Sequence, residues 1–259
     1  MNKTREADET NDFSRADIGL VCALAMELDP FFERCAHVRT IKGEGRRYRG
    51  GRLGGIRVAA VESGSGIERA ARATAALIDG HNPRWVLSVG FAGGLVDALR
   101  VGDIVVADSL VRGDVEVPRE IAIPHGMPAD PEKGLHVGRV VTCGSIVRTV
   151  EEKRILATTQ GAIACDMESH AVAEVARQRG ARFMVVRSVT DDTSADLPEE
   201  VHALLSASGA RRVGATMGAL WNRPESVKDL WALRGTASKA ADRLGPFLAS
   251  MVQQLHQAP

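Results

Sequence analysis

The chain has 259 residues with 33 basic and 33 acidic side chains, so its formal net charge at pH 7 is zero. A balanced charge creates no overall field to attract nucleic acid, and a hydrophobic content of 44% is too high for a wholly disordered chain. No apolar run reaches the roughly 18 residues that a membrane-spanning helix needs. We therefore expect a globular protein of one large α/β domain, with no nucleic-acid partner and no integral membrane segment.

The N-terminal residues and the cysteines add two further expectations. Residues 1–16 mix acidic and basic side chains without the basic-then-apolar pattern of a secretory signal, which predicts a disordered tail and a cytoplasmic location. The four cysteines show neither CxxC nor Cys/His ligand spacing, which favours buried free thiols over a metal site or disulfides. We expect no metal and no cofactor.

Strand and helix patterns alternate along residues 17–220. Compact apolar runs predict strands, and apolar residues in steps of three or four predict helices. The predicted strands are 18–23, 57–62, 85–89, 103–107, 137–142 and 182–189, and the predicted helices are 25–35, 67–79 and 167–179. This alternation predicts one three-layer domain, in which helices flank a central mixed, mostly parallel sheet.

The remaining segments have simpler patterns. Residues 43–55 are typical of a hairpin, and residues 119–134, rich in proline, predict a surface loop. Residues 221–259 predict an amphipathic helical extension, within which Pro246 must kink the helix or begin a second one. Trp221, Trp231, Phe247 and Met251 of this extension could line an apolar groove, although such stripes more often face the core or a dimer partner.

Two glycine-rich segments follow predicted strands. Ser63-Gly64-Ser65-Gly66 precedes a helix, where bare peptide N–H groups favour an anion or polar oxygens. Gly90-Phe91-Ala92-Gly93-Gly94 follows the strand 85–89 and would let the backbone approach a flat ligand. Taken alone, both segments also fit ordinary turns.

Acidic residues follow three distant strands or open helices. Glu27 follows the first strand, Glu168 opens the helix 167–179, and Thr190-Asp191-Asp192 ends the strand 182–189. Acids in a first helical turn also complement the helix dipole, which is the alternative for Glu27 and Glu168. Because ligands bind at the carboxyl ends of parallel strands, we expect Glu27, Glu168 and Asp191 to converge on one crevice.

Five segments together resemble the purine nucleoside phosphorylase and nucleosidase superfamily, and most of all its methylthioadenosine/S-adenosylhomocysteine nucleosidases. They are IGLVCALAMEL at 18–28, VESGSGIERAA at 61–71, VLSVGFAGGLVDALRVGDIVVAD at 86–108, ACDMESHAVAEVA at 164–176 and FMVVRSVTDD at 183–192. The resemblance implies a nucleoside phosphorylase-like fold and cleavage of the N-glycosidic bond of a purine nucleoside, with adenine as the expected base. It also implies a homo-oligomer, for which we expect a dimer.

The resemblance assigns the catalytic roles. Asp191 matches the acid that gives a proton to N7 of the leaving purine, Glu27 the group that activates water, and Glu168 the group that binds the ribose hydroxyls. Cleavage builds positive charge on the sugar and electron density on the base, which suits these roles. Asp191 must then hold a proton near neutral pH, which burial or a nearby carboxylate such as Asp192 would favour.

The resemblance also assigns the substrate-binding residues. Met167 matches the residue packed under the sugar, Ser63 and Gly64 the strand-end turn near the nucleophile, and Ala92 and Gly93 the backbone beside the base. Thr190 adjoins the acid. The stacking phenylalanine of the family is replaced by Ile146, followed by Val147, so the base pocket differs from that of the ordinary nucleosidase.

The C-terminal extension distinguishes this chain from the ordinary nucleosidase. With DMESHAVAEVA and TDDTSADLPEE, the segment WNRPESVKDLWALRG resembles the hopanoid-associated branch, whose members release adenine from adenosylhopane. Two alternatives to hydrolysis stay open. One is phosphorolysis, with Ser63 and one of Arg46, Arg47 or Arg69 at a phosphate; the other is a nucleoside-binding protein without turnover.

Overall fold

The computed structural model describes residues 15–113, 120–198 and 224–257, and of 224–233 it describes the backbone only. The predicted N-terminal tail, but for its last two residues, lies outside the described residues. So do the expected end of the domain at residue 220, Trp221 and the side chain of Trp231. No helix in the described ranges is both long and apolar enough to cross a membrane.

Ten strands and five α-helices are described. The strands are β1 (Ile18–Cys22), β2 (Ala36–Gly43), β3 (Arg46–Leu53), β4 (Ile56–Glu62), β5 (Trp85–Gly94), β6 (Ile104–Arg112), β7 (Ile121–Ala122), β8 (Leu135–Thr142), β9 (Ala164–Asp166) and β10 (Arg182–Asp191). The helices are α1 (Asp29–Phe32), α2 (Ile67–His81), α3 (Val150–Gln160), α4 (Ser169–Gln178) and α5 (Pro224–Gln257), with short 3₁₀ turns at Ala25–Glu27 and Pro131–Lys133.

The described strands form one mixed sheet. Strands β4, β1, β5 and β10 pair in parallel, and β3 and β2 continue the sheet as antiparallel hairpins. From β5 the sheet runs through β9, β8 and β6 to β10, which pairs again with β5, so these five strands close into a ring. The carboxyl ends of β1, β4, β5 and β10 consequently meet at one edge of the sheet.

Helices cover both faces of the sheet, because successive strand residues point to opposite sides. On β1, Leu20 packs in the core with Phe31 of α1 and Leu244 of α5, whereas Val21 packs with Leu77 of α2 and, from α4, Val172. The predicted α/β fold with a mixed, helix-flanked sheet is confirmed. The apolar stripe of α5 faces this core, where Leu244, Leu248, Met251 and Val252 are buried and Phe247 is partly buried.

Several elements differ from the prediction. The predicted helix 25–35 is a 3₁₀ turn followed by α1, whose first turn holds Pro30. The glycine-rich segment 90–94 is not a turn but the second half of β5. The predicted hairpin 43–55 begins earlier, at β2, the predicted loop 119–134 contains β7, and α3 and β9 were not predicted. Pro246 lies inside the single helix α5. Gly245 precedes it, where a Cβ atom would lie 2.8 Å from the carbonyl carbon of Pro30, so the two helices cross closely there.

Candidate active site

One cavity of about 250 Å³ lies where β1, β5 and β10 end. Most of the residues predicted from the sequence line it, namely Glu27, Ala92, Gly93, Ile146, Val147, Met167, Glu168, Thr190 and Asp191. Glu27, Glu168 and Asp191 are therefore brought together from three distant segments, as the strand-end argument expects.

Glu27 is held at one end of the cavity by peptide N–H groups. Its Oε2 atom accepts hydrogen bonds from the N–H groups of Ala23 and Leu24, both at 2.8 Å, and its Oε1 atom accepts one from Phe91 at 3.0 Å. Burial nevertheless raises the pKa of this carboxyl above its usual value. Because a carboxylate has about four acceptor positions, these three bonds leave one for a water molecule.

The glycine at position 90 makes the position of Glu27 possible. A Cβ atom on Gly90 would lie 2.6 Å from Oε1 of Glu27 and 2.8 Å from a guanidinium nitrogen of Arg187. Any other residue at this position would displace one of these groups. The glycines of this segment thus give room to buried charged side chains within a strand, and no turn is needed.

Glu168 is bound across the cavity to the beginning of α2. Its Oε1 atom accepts a 2.7 Å hydrogen bond from the N–H group of Gly66, the residue that precedes α2. Its Oε2 atom accepts no hydrogen bond from the described part of the chain, and Glu168 is one of the residues that line the cavity. Burial, with the negative charge of Asp166, raises the pKa of Glu168 to about 7.

Asp166, two residues before Glu168, has a structural role. It accepts hydrogen bonds from the N–H group of Ser169 at 3.3 Å and from Thr142 Oγ1 at 2.7 Å. Arg187 donates to it from Nε at 2.7 Å, and also to Ser88 and Ser169. Asp166 thus fixes the first turn of α4, which leaves Glu168 for the cavity.

Asp191 reaches the cavity through an irregularity in β10. The pairing of β10 with β5 shifts between Val189 and Asp191, and such a bulge re-aims the side chains that follow it. Its Oδ1 atom accepts a 2.9 Å hydrogen bond from Thr190 Oγ1, and its Oδ2 atom lies 2.6 Å from Nζ of Lys153.

The neighbour that the sequence suggested for Asp191 has a different role. Asp192 accepts hydrogen bonds from Ser194, which help to hold the pKa of the Asp192 carboxyl below its usual value although burial acts to raise it. The group bonded to Asp191 is the ammonium of Lys153, so the acid is paired with a cation and not with a second carboxylate.

Ser63 and Gly64 are not brought to the cavity. They line a neighbouring surface pocket together with Arg46, Arg47 and Arg69. The Ser63 hydroxyl lies within hydrogen-bonding distance of two backbone oxygens that can accept its proton, that of Cys22 at 3.0 Å and that of Gly64 at 2.7 Å. Ser65, two residues further on, lines the cavity instead.

Apolar side chains form most of the remaining wall. Phe91, Met167 and Val147 lie beside the carboxylates, and further lining residues are Leu24, Met26, Ile146, Leu197 and, from α5, Ala237. Within the described ranges, no group of three His, Cys, Asp or Glu side chains is placed to hold a metal ion. Cys22, Cys143 and Cys165 are buried free thiols, as predicted, while Cys35 is partly exposed.

Sequence reasoning missed two charged residues at this site. Lys153 lies in α3, which was not predicted, although Thr149 and Glu152 form the capping box that marks its beginning. Arg187 lies inside the strand predicted at 182–189, where a charged residue within a mostly apolar run was the available signal. Because a buried cation is destabilising unless it is paired, Lys153 and Arg187 each require a nearby carboxylate.

The arrangement suits a reaction that separates charge between two groups. Glu27 and Glu168 place negative charge beside any cationic centre in the cavity, and Glu27 has room to take a proton from water. Asp191 is hydrogen-bonded to the ammonium of Lys153. Such a set fits cleavage of a glycosidic bond through an oxocarbenium-like transition state.

The chain matches one family model. The model, described as "Phosphorylase superfamily", matches residues 17–217. A 5′-methylthioadenosine/S-adenosylhomocysteine nucleosidase of Shewanella oneidensis is 30% identical over 201 residues, which are 69% of this chain and 85% of that protein. The corresponding nucleosidase of Listeria welshimeri is 28% identical over 200 residues, 67% of this chain and 85% of that protein.

Solved structures share the fold. A 5′-methylthioadenosine/S-adenosylhomocysteine nucleosidase from Helicobacter pylori superimposes with a TM-score of 0.69 at 22% identity, over 93% of this chain and 99% of that one. Futalosine hydrolase of the same organism gives a TM-score of 0.68 at 22% identity, over 92% and 97% of the two chains. At these identities, the likeness establishes the architecture.

Proposed function

The chain belongs to the phosphorylase superfamily, and we propose that it is a purine nucleosidase that hydrolyses the N-glycosidic bond of an adenine nucleoside. The observation that carries the proposal is the convergence of Glu27, Glu168 and Asp191 on one cavity. The nucleosidase names of the relatives support hydrolysis and the adenine base.

Each carboxylate has a separate part in the reaction. Asp191 gives a proton to N7 of the base as the C1′–N9 bond breaks, so that the base leaves without a negative charge. Glu168 accepts hydrogen bonds from the 2′ and 3′ hydroxyls and stabilises the cationic sugar. Glu27 orients the attacking water and takes its proton.

The raised pKa values fit the two roles on the sugar side. Burial raises the pKa of Glu27 and thereby makes its carboxylate a stronger base toward water. The pKa of about 7 means that the protein disfavours the charged form of Glu168, and the positive charge that develops on the ribose stabilises this form. Its interaction with the sugar is therefore stronger in the transition state than in the ground state, as catalysis requires.

We further propose that the 5′ position of the substrate carries an apolar substituent. Met26, Leu197 and Ala237 support this, because they add apolar surface to a cavity whose carboxylates are committed to the sugar and the base. The resemblance of the C-terminal segment to the hopanoid-associated branch makes adenosylhopane a candidate substrate.

The test is release of free adenine, followed by chromatography. The purified protein is incubated with adenosine, methylthioadenosine, S-adenosylhomocysteine and adenosylhopane, each with and without phosphate. We expect adenine from at least one substrate at a rate that phosphate does not change, and the highest kcat/KM with an apolar 5′ group. Absence of adenine from all four would overturn the proposal.

Phosphorolysis is the second candidate function. The pocket lined by Ser63, Gly64 and the arginines Arg46, Arg47 and Arg69 favours it, because peptide N–H groups and guanidinium groups bind phosphate. However, Arg47 already pairs with Glu62 at 3.4 Å, and Arg46 pairs with Glu44 at 3.2 Å. Adenine release that depends on phosphate would establish this function in place of hydrolysis.

A further inference from the structure

Lys153 is a buried charged residue beside the proposed acid, and it has no part in the mechanism described above. It lies in the first turn of α3 with 0% of its side chain exposed. Its Nζ atom donates a 2.6 Å hydrogen bond to Oδ2 of Asp191 and a 2.7 Å hydrogen bond to the backbone oxygen of Asp192. Burial of an ammonium costs free energy of hydration, which the hydrogen bond to Asp191 must offset, and this cost suggests that the lysine has a function there.

The other titratable groups around this pair do not compete for its proton. Burial raises the pKa of the Cys165 thiol on β9 well above its usual value, so that thiol stays neutral. Cys143, which directly follows β8, is a buried cysteine that forms no disulfide. The Asp192 carboxylate accepts a hydrogen bond from the N–H group of Ser194, and the positive charge of Arg100 helps to lower its pKa.

We propose that Lys153 is the proton source for Asp191 during cleavage, a positioning residue that acts on the base only through this acid. The inference rests on the proposed nucleosidase function and names the origin of the proton that this function requires. It also accounts for an acid that is ion-paired with an ammonium and yet protonates a leaving group.

The step balances in atoms and charge. Nζ of Lys153 gives a proton to the Asp191 carboxylate, which passes a proton to N7 as the C1′–N9 bond breaks and its electron pair stays on the base. Water bonds to C1′ and gives its proton to Glu27. At the end Lys153 is a neutral amine and Glu27 is protonated, and exchange with solvent returns both to their starting states.

The residue type suits a donor. A lysine ammonium gives up its proton readily when buried, whereas an arginine guanidinium stays protonated under all ordinary conditions. The second buried cation of the site, Arg187, lies under Asp166, where a permanent charge holds a hydrogen-bond network in place. The cation bonded to the proposed acid is the one able to lose a proton.

The test compares Lys153→Met and Lys153→Arg with the parent by kcat for adenine release between pH 5 and pH 8. Lys153→Met removes the proton source, and we expect a loss of about 100-fold at pH 8. At pH 5 the unpaired Asp191 carries its own proton in a fraction of molecules, so the loss shrinks to about 10-fold. Lys153→Arg keeps a cation on Asp191, so the loss of about 100-fold persists at both pH values.

The matched control is Lys133→Met, which removes an exposed lysine that pairs with Asp130 and does not line the cavity, and this variant is expected to match the parent. A 4-nitrophenyl riboside, whose leaving group needs no proton, verifies that each variant has an intact site. If it is not cleaved, thermal unfolding serves instead.

Three results would overturn the inference while the nucleosidase proposal stands: full activity of Lys153→Met at pH 8, a loss in Lys153→Met that is equal at pH 5 and pH 8, or parent-like activity of Lys153→Arg. If Lys153→Met does not fold, Lys153→Arg alone decides, since it retains the buried cation. A parent protein that releases no base from any riboside would instead refute the function itself.

Discussion

The two sides of the cavity hold their carboxylates by different kinds of partner. On the sugar side, Glu27 and Glu168 accept hydrogen bonds from peptide N–H groups, and burial raises the pKa of both. On the base side, Asp191 is bonded to the ammonium of Lys153. The same functional group thus has different neighbours at the two positions, and the function that we propose uses this difference: Glu27 takes up a proton, and Asp191 supplies one.

Asp191→Asn should give the largest effect, because it removes the acid while keeping the size of the side chain. We expect kcat for adenine release to fall about 1,000-fold, in the middle of the usual range for loss of a general acid. The measurement is steady-state release of adenine, with circular dichroism to verify folding. Activity within a few fold of the parent would contradict the proposed division between the two sides.

Glu27→Gln should give the next largest effect, a loss of about 100-fold in kcat with little change in KM. The amide can still accept hydrogen bonds but cannot take a proton from water. Initial rates over a range of nucleoside concentrations separate the two constants. A rise in KM at unchanged kcat would show that Glu27 binds the substrate and that another group activates water.

Glu168→Gln should change stability in a way that depends on pH. The pKa of Glu168 rises from 4.5 to about 7, so the folded protein holds this proton more tightly than the unfolded chain does. The resulting stabilisation is present below about pH 4.5 and is lost as pH rises through 7. A glutamine side chain stays neutral at every pH and does not carry the cost of a buried charge. The variant should therefore be more stable than the parent at pH 8, by at most about 3 kcal/mol.

Thermal unfolding of the empty protein at pH 4 and pH 8 measures this difference. The two proteins should unfold at similar temperatures at pH 4, and the variant should unfold at the higher temperature at pH 8. A variant less stable than the parent at pH 8 would show that the hydrogen bond to Gly66 outweighs the cost of burying the charge. The expected gain in stability of the glutamine variant would indicate that the buried charge of Glu168 lowers stability and is retained for catalysis.

Arg47→Met should give the smallest effect, because Arg47 lies in the neighbouring surface pocket and pairs with Glu62. We expect adenine release within about twofold of the parent, with or without phosphate, since exposed ion pairs contribute little. A loss confined to reactions that contain phosphate would favour phosphorolysis over hydrolysis.

Much of the fold could be predicted because its strands are apolar runs and its helices have clear stripes. The misses have local causes. Gly90 and Gly93 have the composition of a turn, yet they continue β5, since glycine is needed there for space beside Glu27 and Asp191. Helix α3 has a weak apolar stripe, and Ile155 within it is half exposed.

The site was less predictable than the fold, because pairing between distant residues leaves little trace in sequence. The position of Asp191 at a strand end was visible, whereas the bulge that turns it into the cavity and the lysine that binds it depend on tertiary packing. Ser63 and Ser65 are alike in sequence, and only the path of the backbone decides that Ser65 lines the cavity.

The most direct test of the account quantifies both products of one reaction in phosphate-free buffer. The account predicts free adenine and free sugar in equal amounts from the parent protein, and neither from Asp191→Asn on the same timescale. Adenine that appears only when phosphate is added, together with a sugar 1-phosphate, would contradict hydrolysis by these three carboxylates.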